Sequence, residues 1–217
     1  MSEFQKRIIS SIILIPLSFF FIVKGSFLFL IFLLFCFLLS SYEWKKMTKS
    51  KIVFTLGFVF LSLSFYSAFL LRENYNDFGL FIFLFLIIIS VSTDIGGFTF
   101  GKIFKGPRLT KISPNKTYAG VIGSFLFSIL IGVYYIHYYT NNYSIDIQLN
   151  KSFFYLIFIL SLISQIGDLI ISYFKRISKL DNTGNLIPGH GGILDRIDGI
   201  IFVIPFFYFL NSFLKII

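Results

Sequence analysis

QIGDLIISYFKRISKLDNTGNLIPGHGGILDRIDG, residues 165–199, begins inside an apolar run, leaves it at Lys175-Arg176, turns through Pro188-Gly189-His190-Gly191-Gly192, and re-enters apolar sequence after Asp195 and Asp198. The acids Asp168, Asp195 and Asp198, the basic residues Lys175, Arg176 and Arg196, and a glycine-rich turn thus gather at one edge of sequence that reads as membrane. At 100° per residue, Ser161, Ser164, Gln165, Asp168, Ser172, Lys175 and Arg176 fall within an arc of about 120° on one helix. Asp168 lies roughly 9 Å inside the charged end of that helix. A carboxylate at such a depth costs about 2.5–3.5 kcal/mol on insertion scales, which predicts a cavity beside it and a cationic partner.

The rest of the chain has the same character. Of 217 residues, 56% are hydrophobic, 21% aromatic and only 13% charged, too little polar surface for a soluble domain of this size. The net charge of +9 does not indicate nucleic acid, because the basic residues sit in short loops between apolar runs. There they read as topology signals and as contacts for phosphate or anionic lipid. The single cysteine, Cys36, lies in mid-run and reads as a small apolar residue.

Seven apolar segments are marked: 8–23, 26–41, 52–71, 78–103, 118–139, 152–174 and 193–214. Each approaches the roughly 20 residues of a membrane-spanning helix. Gly96-Gly97 interrupt the fourth, which reads as two pieces or a kinked helix. Lys6-Arg7 before an apolar run imitates a signal peptide, but no small-x-small site follows, so an uncleaved first span is expected. With the N-terminus placed in the cytoplasm, the inside receives fifteen Lys and Arg and the outside four: Lys24, Arg72, Lys151 and Lys215. The expected fold is therefore all-α, a polytopic integral membrane protein of about seven transmembrane helices with a cytoplasmic N-terminus. Residues 1–77 are expected to form a scaffold, and residues 78–217 a catalytic region whose site faces the cytoplasm.

Asp195 and Asp198 stand at i and i+3, on one face of a helix expected to open after Gly192. A glycine-rich start leaves backbone N–H groups free to receive an anion, and Arg196 sits between the acids. Three carboxylates from two helices, beside Lys175, Arg176 and Arg196, suit a hard cation with oxygen ligands and phosphate substrates. Zinc does not fit, since only His137 and His190 are present and neither has a cysteine partner. His190 is a candidate phosphate contact. Asp94, in Ser92-Thr93-Asp94-Ile95-Gly96-Gly97, is a further acid within an apolar run. Residues 106–117 form a basic loop, in which Lys116-Thr117 stand where the fifth span starts and can meet a triphosphate. Residues 96–102 imitate a P-loop, but Ile103 stands where its Ser or Thr must be.

With these residues in view, the chain resembles the phosphatidate cytidylyltransferases, or CDP-diacylglycerol synthases. Their long motif is met by Ser172, Lys175-Arg176, Pro188, His190-Gly191-Gly192, Asp195-Arg196 and Asp198. Gly167-Asp168, the Asp94 segment, and Ser113-Pro114 with Lys116-Thr117 and Gly120 resemble further family blocks, in the right order. Asp181-Asn182 replace a usual Lys-Asp, and Ala119 replaces a usual acid. The resemblance implies that CTP and phosphatidate give CDP-diacylglycerol and pyrophosphate with Mg²⁺, a second cation being left open. It also implies a homodimer in the cell membrane, with membrane lipid as its partner and no nucleic acid. On this reading Asp168, Asp195 and Asp198 hold the metal, and Lys175, Arg176 and Arg196 neutralise phosphates. Asp94, Ser113, Lys116, Thr117, Ser172, His190, Gly191 and Gly192 shape the substrate pocket. The rivals are a CDP-alcohol phosphotransferase, whose pattern fails directly after Asp198-Gly199, and a transporter, for which no inverted repeat is seen.

Overall fold

The computed structural model describes residues 3–74, 77–110, 112–143, 151–187, 189 and 191–214. Their order is α1 (Glu3–Lys24), α2 (Ser26–Met47), α3 (Lys51–Glu73), α4 (Asp77–Phe104), α5 (Tyr118–Tyr143), α6 (Lys151–Ile177), α7 (Leu194–Ile197) and α8 (Ile200–Leu214). Among the described residues there is no strand, only two isolated bridges in loops. Six helices, α1 to α6, are long and apolar enough to cross a membrane, and α8 is a shorter apolar one. The polytopic all-α expectation holds.

Two expectations about segment shape are sharpened. Of the two alternatives for the fourth segment, two pieces or a kinked helix, the single helix is found, continuous over 28 residues through Gly96-Gly97. Those glycines serve packing, since α4 lies closest to α5 and the Gly96 position faces the backbone carbonyl of Gly123. The last segment, expected to be one helix from residue 193, is divided at Asp198-Gly199 into α7 and α8. Gly199 has the helix propensity to permit that break, and its bare Cα lies against the side-chain oxygens of Ser164 and Ser90. Gly167 on α6 matches it, for a Cβ there would stand 2.8 Å from the Asp198 carbonyl oxygen. These two glycines bring the start of α8 against α6 closely enough for their acids to act on one another by charge.

The core lies where α2, α3, α4, α6 and α8 converge, around fully buried Phe29, Leu71, Phe85, Leu86, Leu160 and Phe207. Outward faces carry large exposed apolar side chains, such as Ile12, Leu38, Leu56, Phe98 and Tyr155, as lipid contact requires. Hydroxyls join the inner helices: Ser90 and Ser164 are 2.7 Å apart, Thr93 donates to Ser161 at 2.9 Å, and Ser124 donates to the Thr93 carbonyl at 2.8 Å. At the far end Arg72 donates to the carbonyls of Ile22 (2.8 Å) and Val23 (3.0 Å), satisfying the open end of α1. At the other end a second cluster, of Trp44, Met47, Leu61, Ile171, Leu194 and Ile201, lies under the loop joining α6 to α7.

Candidate active site

Helix α6 carries Asp168, Ser172 and Lys175 at i, i+4 and i+7, one above another on its inner face. Asp168 has the cationic partner its depth demands, but the partner is Lys116, whose Nζ is 2.5 Å from Oδ2. Ser172 donates to Asp168 Oδ1 at 3.2 Å. Lys116 is aimed there by a small hairpin in the basic loop. Leu109 N–H donates to the Lys116 carbonyl at 2.8 Å, Arg108 pairs with Thr117, and the Thr117 hydroxyl accepts the Gly120 N–H at 3.1 Å to cap α5.

Around this pair lies a cavity of about 280 Å³, bounded by α4, α5 and α6. Asp94, Asp168, Lys116, Ser113, Thr117 and Gln165 line it. The Gln165 Nε2 is buried without a hydrogen-bond partner, an open donor beside Asp168. Asp198, just ahead of α8, accepts the Gly199 N–H at 2.9 Å and lies close enough to Asp168 and Asp94 for their charges to act on it. Arg196 and Lys116 act on Asp94 in the same way. Carboxyls this near one another need a proton or a cation between them. Among the described residues, no three acids, histidines or cysteines stand ready as a metal cage.

Asp195 has different partners from its neighbour at i+3. Its Oδ1 accepts from Lys175 Nζ at 2.8 Å. Its Oδ2 accepts from Thr183 N (2.8 Å), Thr183 Oγ1 (3.0 Å) and Gly192 N (3.1 Å). Burial alone would raise its pKa, but the Lys175 hydrogen bond and charge, with the Gly192 and Thr183 N–H groups, hold it below the ordinary 3.8. Both oxygens of Asp195 thus brace the loop, and Lys175 is its cationic partner.

The described part of the glycine-rich turn is held by backbone and carboxylate contacts. Gly191, at φ +86°, exchanges both backbone hydrogen bonds with Ile187, closing a tight loop. Past it, the next three N–H groups have carboxylate partners: Gly192 N donates to Asp195, and Ile193 N (3.0 Å) and Leu194 N (2.8 Å) donate to Glu43. Arg176, half-exposed, pairs with Asp181 at 3.0 Å and reaches the Ile112 carbonyl, away from the carboxyls. His190 lies outside the described residues. Gly189, beside it, accepts from Arg7 Nε at 2.8 Å, so the start of α1 and the loop share one end of the bundle.

Glu43 and Thr183 are the residues that sequence reasoning missed. Glu43 is an acid at the end of an apolar run, the same signal that singled out Asp94 and Asp168. The adjoining Lys45-Lys46 make it read as an interfacial residue.

The chain matches the family described as "Cytidylyltransferase family" over residues 50–214. It is 38% identical over 216 residues to a phosphatidate cytidylyltransferase of Rickettsia typhi, covering 96% of this chain and 92% of the relative. Its identity to that of Rickettsia bellii is 34%, over 97% of this chain and 92% of the relative. A phosphatidate cytidylyltransferase of Bacillus subtilis is 34% identical over 160 residues, 72% of this chain and 56% of that longer protein.

Proposed function

The chain belongs to the cytidylyltransferase family, and on that premise we propose that it is a membrane-embedded nucleotidyltransferase that moves the cytidylyl group of CTP onto phosphatidate, giving CDP-diacylglycerol and pyrophosphate. The observation that carries this reading is the gathering of Asp94, Asp168 and Lys116 about one cavity, with Asp198 close enough to feel the charge of both acids, at the end of the bundle where the glycine-rich loop closes. A lipid phosphate oxygen attacks the α-phosphorus of CTP. The new P–O bond forms as the bond to the bridging oxygen breaks, and pyrophosphate leaves with that electron pair. No side-chain nucleophile is required.

Both reactants are anions, so their approach needs fixed positive charge and oriented donors. Lys116 is the lysine bordering the cavity, and a phosphate can take over its contact with Asp168. Arg196 supports the same charge balance from beside Asp94. Ser113, Thr117 and the open Gln165 amide supply hydrogen bonds to bound phosphate or glycerol oxygens. Asp195, Lys175, Gly191 and Gly192 act on the reaction through the loop they hold. Arg176 and Asp181 guard the rim of the basic loop, and Ser172 orients Asp168.

For Mg²⁺ the donor chemistry fits at Asp168 and Asp198, carboxylate oxygens near enough to act on one another by charge, with Asp94 acting on Asp198 as well. When bound there, the ion supplies charge neutralisation of the transferring phosphoryl group. Among the described residues, fourteen of seventeen Lys and Arg fall at the end of the bundle that carries the site, which favours a cytoplasmic site in the inner membrane. A homodimer follows from the family resemblance.

The test is turnover by purified protein given CTP, phosphatidate and Mg²⁺, with pyrophosphate and CDP-diacylglycerol expected in equal amounts. Asp168→Asn and Asp198→Asn should each lower kcat on the order of 10²–10³-fold. Pyrophosphate released from CTP with no lipid present would mark a hydrolase and end this reading.

A further inference from the structure

Glu43 lies ahead of residues 50–214, which match the family, and in the part of the chain expected to be scaffold. It is 1% exposed, on α2, yet its carboxylate enters the loop that carries Asp195. Oε1 accepts from Ile193 N at 3.0 Å, and Oε2 from Leu194 N at 2.8 Å and Thr183 Oγ1 at 2.8 Å. Thr183 Oγ1 is also 3.0 Å from Asp195 Oδ2, so one hydroxyl proton serves two carboxylates. The chain of contacts runs Glu43, Thr183, Asp195, Lys175, from α2 across the loop to α6.

The loop is shaped around this carboxylate. A Cβ on Gly192 would stand 2.4 Å from Glu43 Oε2, and one on Gly184 2.7 Å from Oε1. Both glycines leave the room the acid fills. Charge-assisted hydrogen bonds of this kind are roughly twice as strong as neutral ones. Ile193 and Leu194 open α7, and Asp198 directly follows its last residue, so whatever fixes their N–H groups bears on the direction of Asp198.

We propose that Glu43 is a positioning residue for cytidylyl transfer: a built-in anion that occupies the N–H groups at the start of α7, sets Asp195 and Asp198 in place, and leaves substrate phosphates to the Lys116 side of the cavity. The proposal rests on the transferase reading above. It separates positioning from binding, because Glu43 touches neither the cavity nor the residues that line it. Glu43→Gln keeps the size of the side chain but turns one acceptor into a donor facing N–H or O–H groups.

The experiment compares wild type, Glu43→Gln and Glu43→Ala in detergent, each quantified as the folded gel-filtration peak, with kcat and KM for CTP and for phosphatidate. Glu43→Gln is expected to lower kcat about 100-fold while both KM values stay within about threefold. An unchanged kcat per folded molecule overturns the proposal, as does a loss carried by KM. Absence of a folded peak for both variants overturns it too, since Glu43 would then serve assembly alone. An inactive wild type would instead strike the transferase reading.

Discussion

Residues 195 and 198 are both aspartates of one short motif, yet their surroundings give them different work. Asp195 is saturated by one ammonium, two N–H groups and a hydroxyl, and its pKa lies below 3.8. Its stabilising contribution is therefore complete above the unfolded value of about 4 and is lost as pH falls through the lower folded value. Asp195→Asn leaves Lys175 buried without its partner and should cost about 3–5 kcal/mol at neutral pH. Thermal melts from pH 3 to pH 7 should show the wild type losing stability towards the acid end, with the variant lower and flatter there. Equal slopes would mean that this carboxylate is not the one being titrated. Of these residues, Asp94 and Asp168 were legible in the sequence, because an acid within an apolar run has no cheap alternative. The partition of labour between Asp195 and Asp198 was not, because it depends on Thr183 and on Glu43, residues 12 and 152 positions from Asp195 along the chain.

Helices meet here by removal of side chains. Gly167 and Gly199 let α6 and the start of α8 approach until the Asp198 backbone lies against α6, near Asp168. Gly167→Ala puts a methyl 2.5 Å from the Phe202 ring and 2.8 Å from the Asp198 carbonyl oxygen. Overpacking of that kind costs about 1–3 kcal/mol. The variant should melt earlier, and its kcat should fall further than the folded fraction does, because the two carboxyls are pushed apart. Full turnover per folded molecule would show that the contact between α6 and α8 is not what unites them. The seven apolar segments and their order were readable from hydrophobic runs alone. The continuity of α4 and the division of the last segment were not, since glycine marks both a close approach and a break, and only the neighbour decides which.

For the whole molecule, one end of the bundle holds the basic loop, the turn at Gly189 and the start of α1, joined by Arg7. The other end is tied by Arg72 to the last carbonyls of α1. The proposed orientation puts the first of these ends inside the cell. Single cysteines test it in a Cys36→Ala background: Asn142→Cys should react with an impermeant maleimide on intact cells, and Lys49→Cys only after permeabilisation. The reverse pattern would turn the protein over in the membrane and place its site away from cytoplasmic CTP.

The bond from Glu43 to Leu194 spans 151 positions. During synthesis, then, the second helix enters the bilayer with an acid whose acceptors have nothing to bind until residues 183–194 have been made. Until that moment the early hairpin is unfinished, with a lone carboxylate at one end. Any truncation ahead of Thr183 should therefore shorten the lifetime of everything made before it.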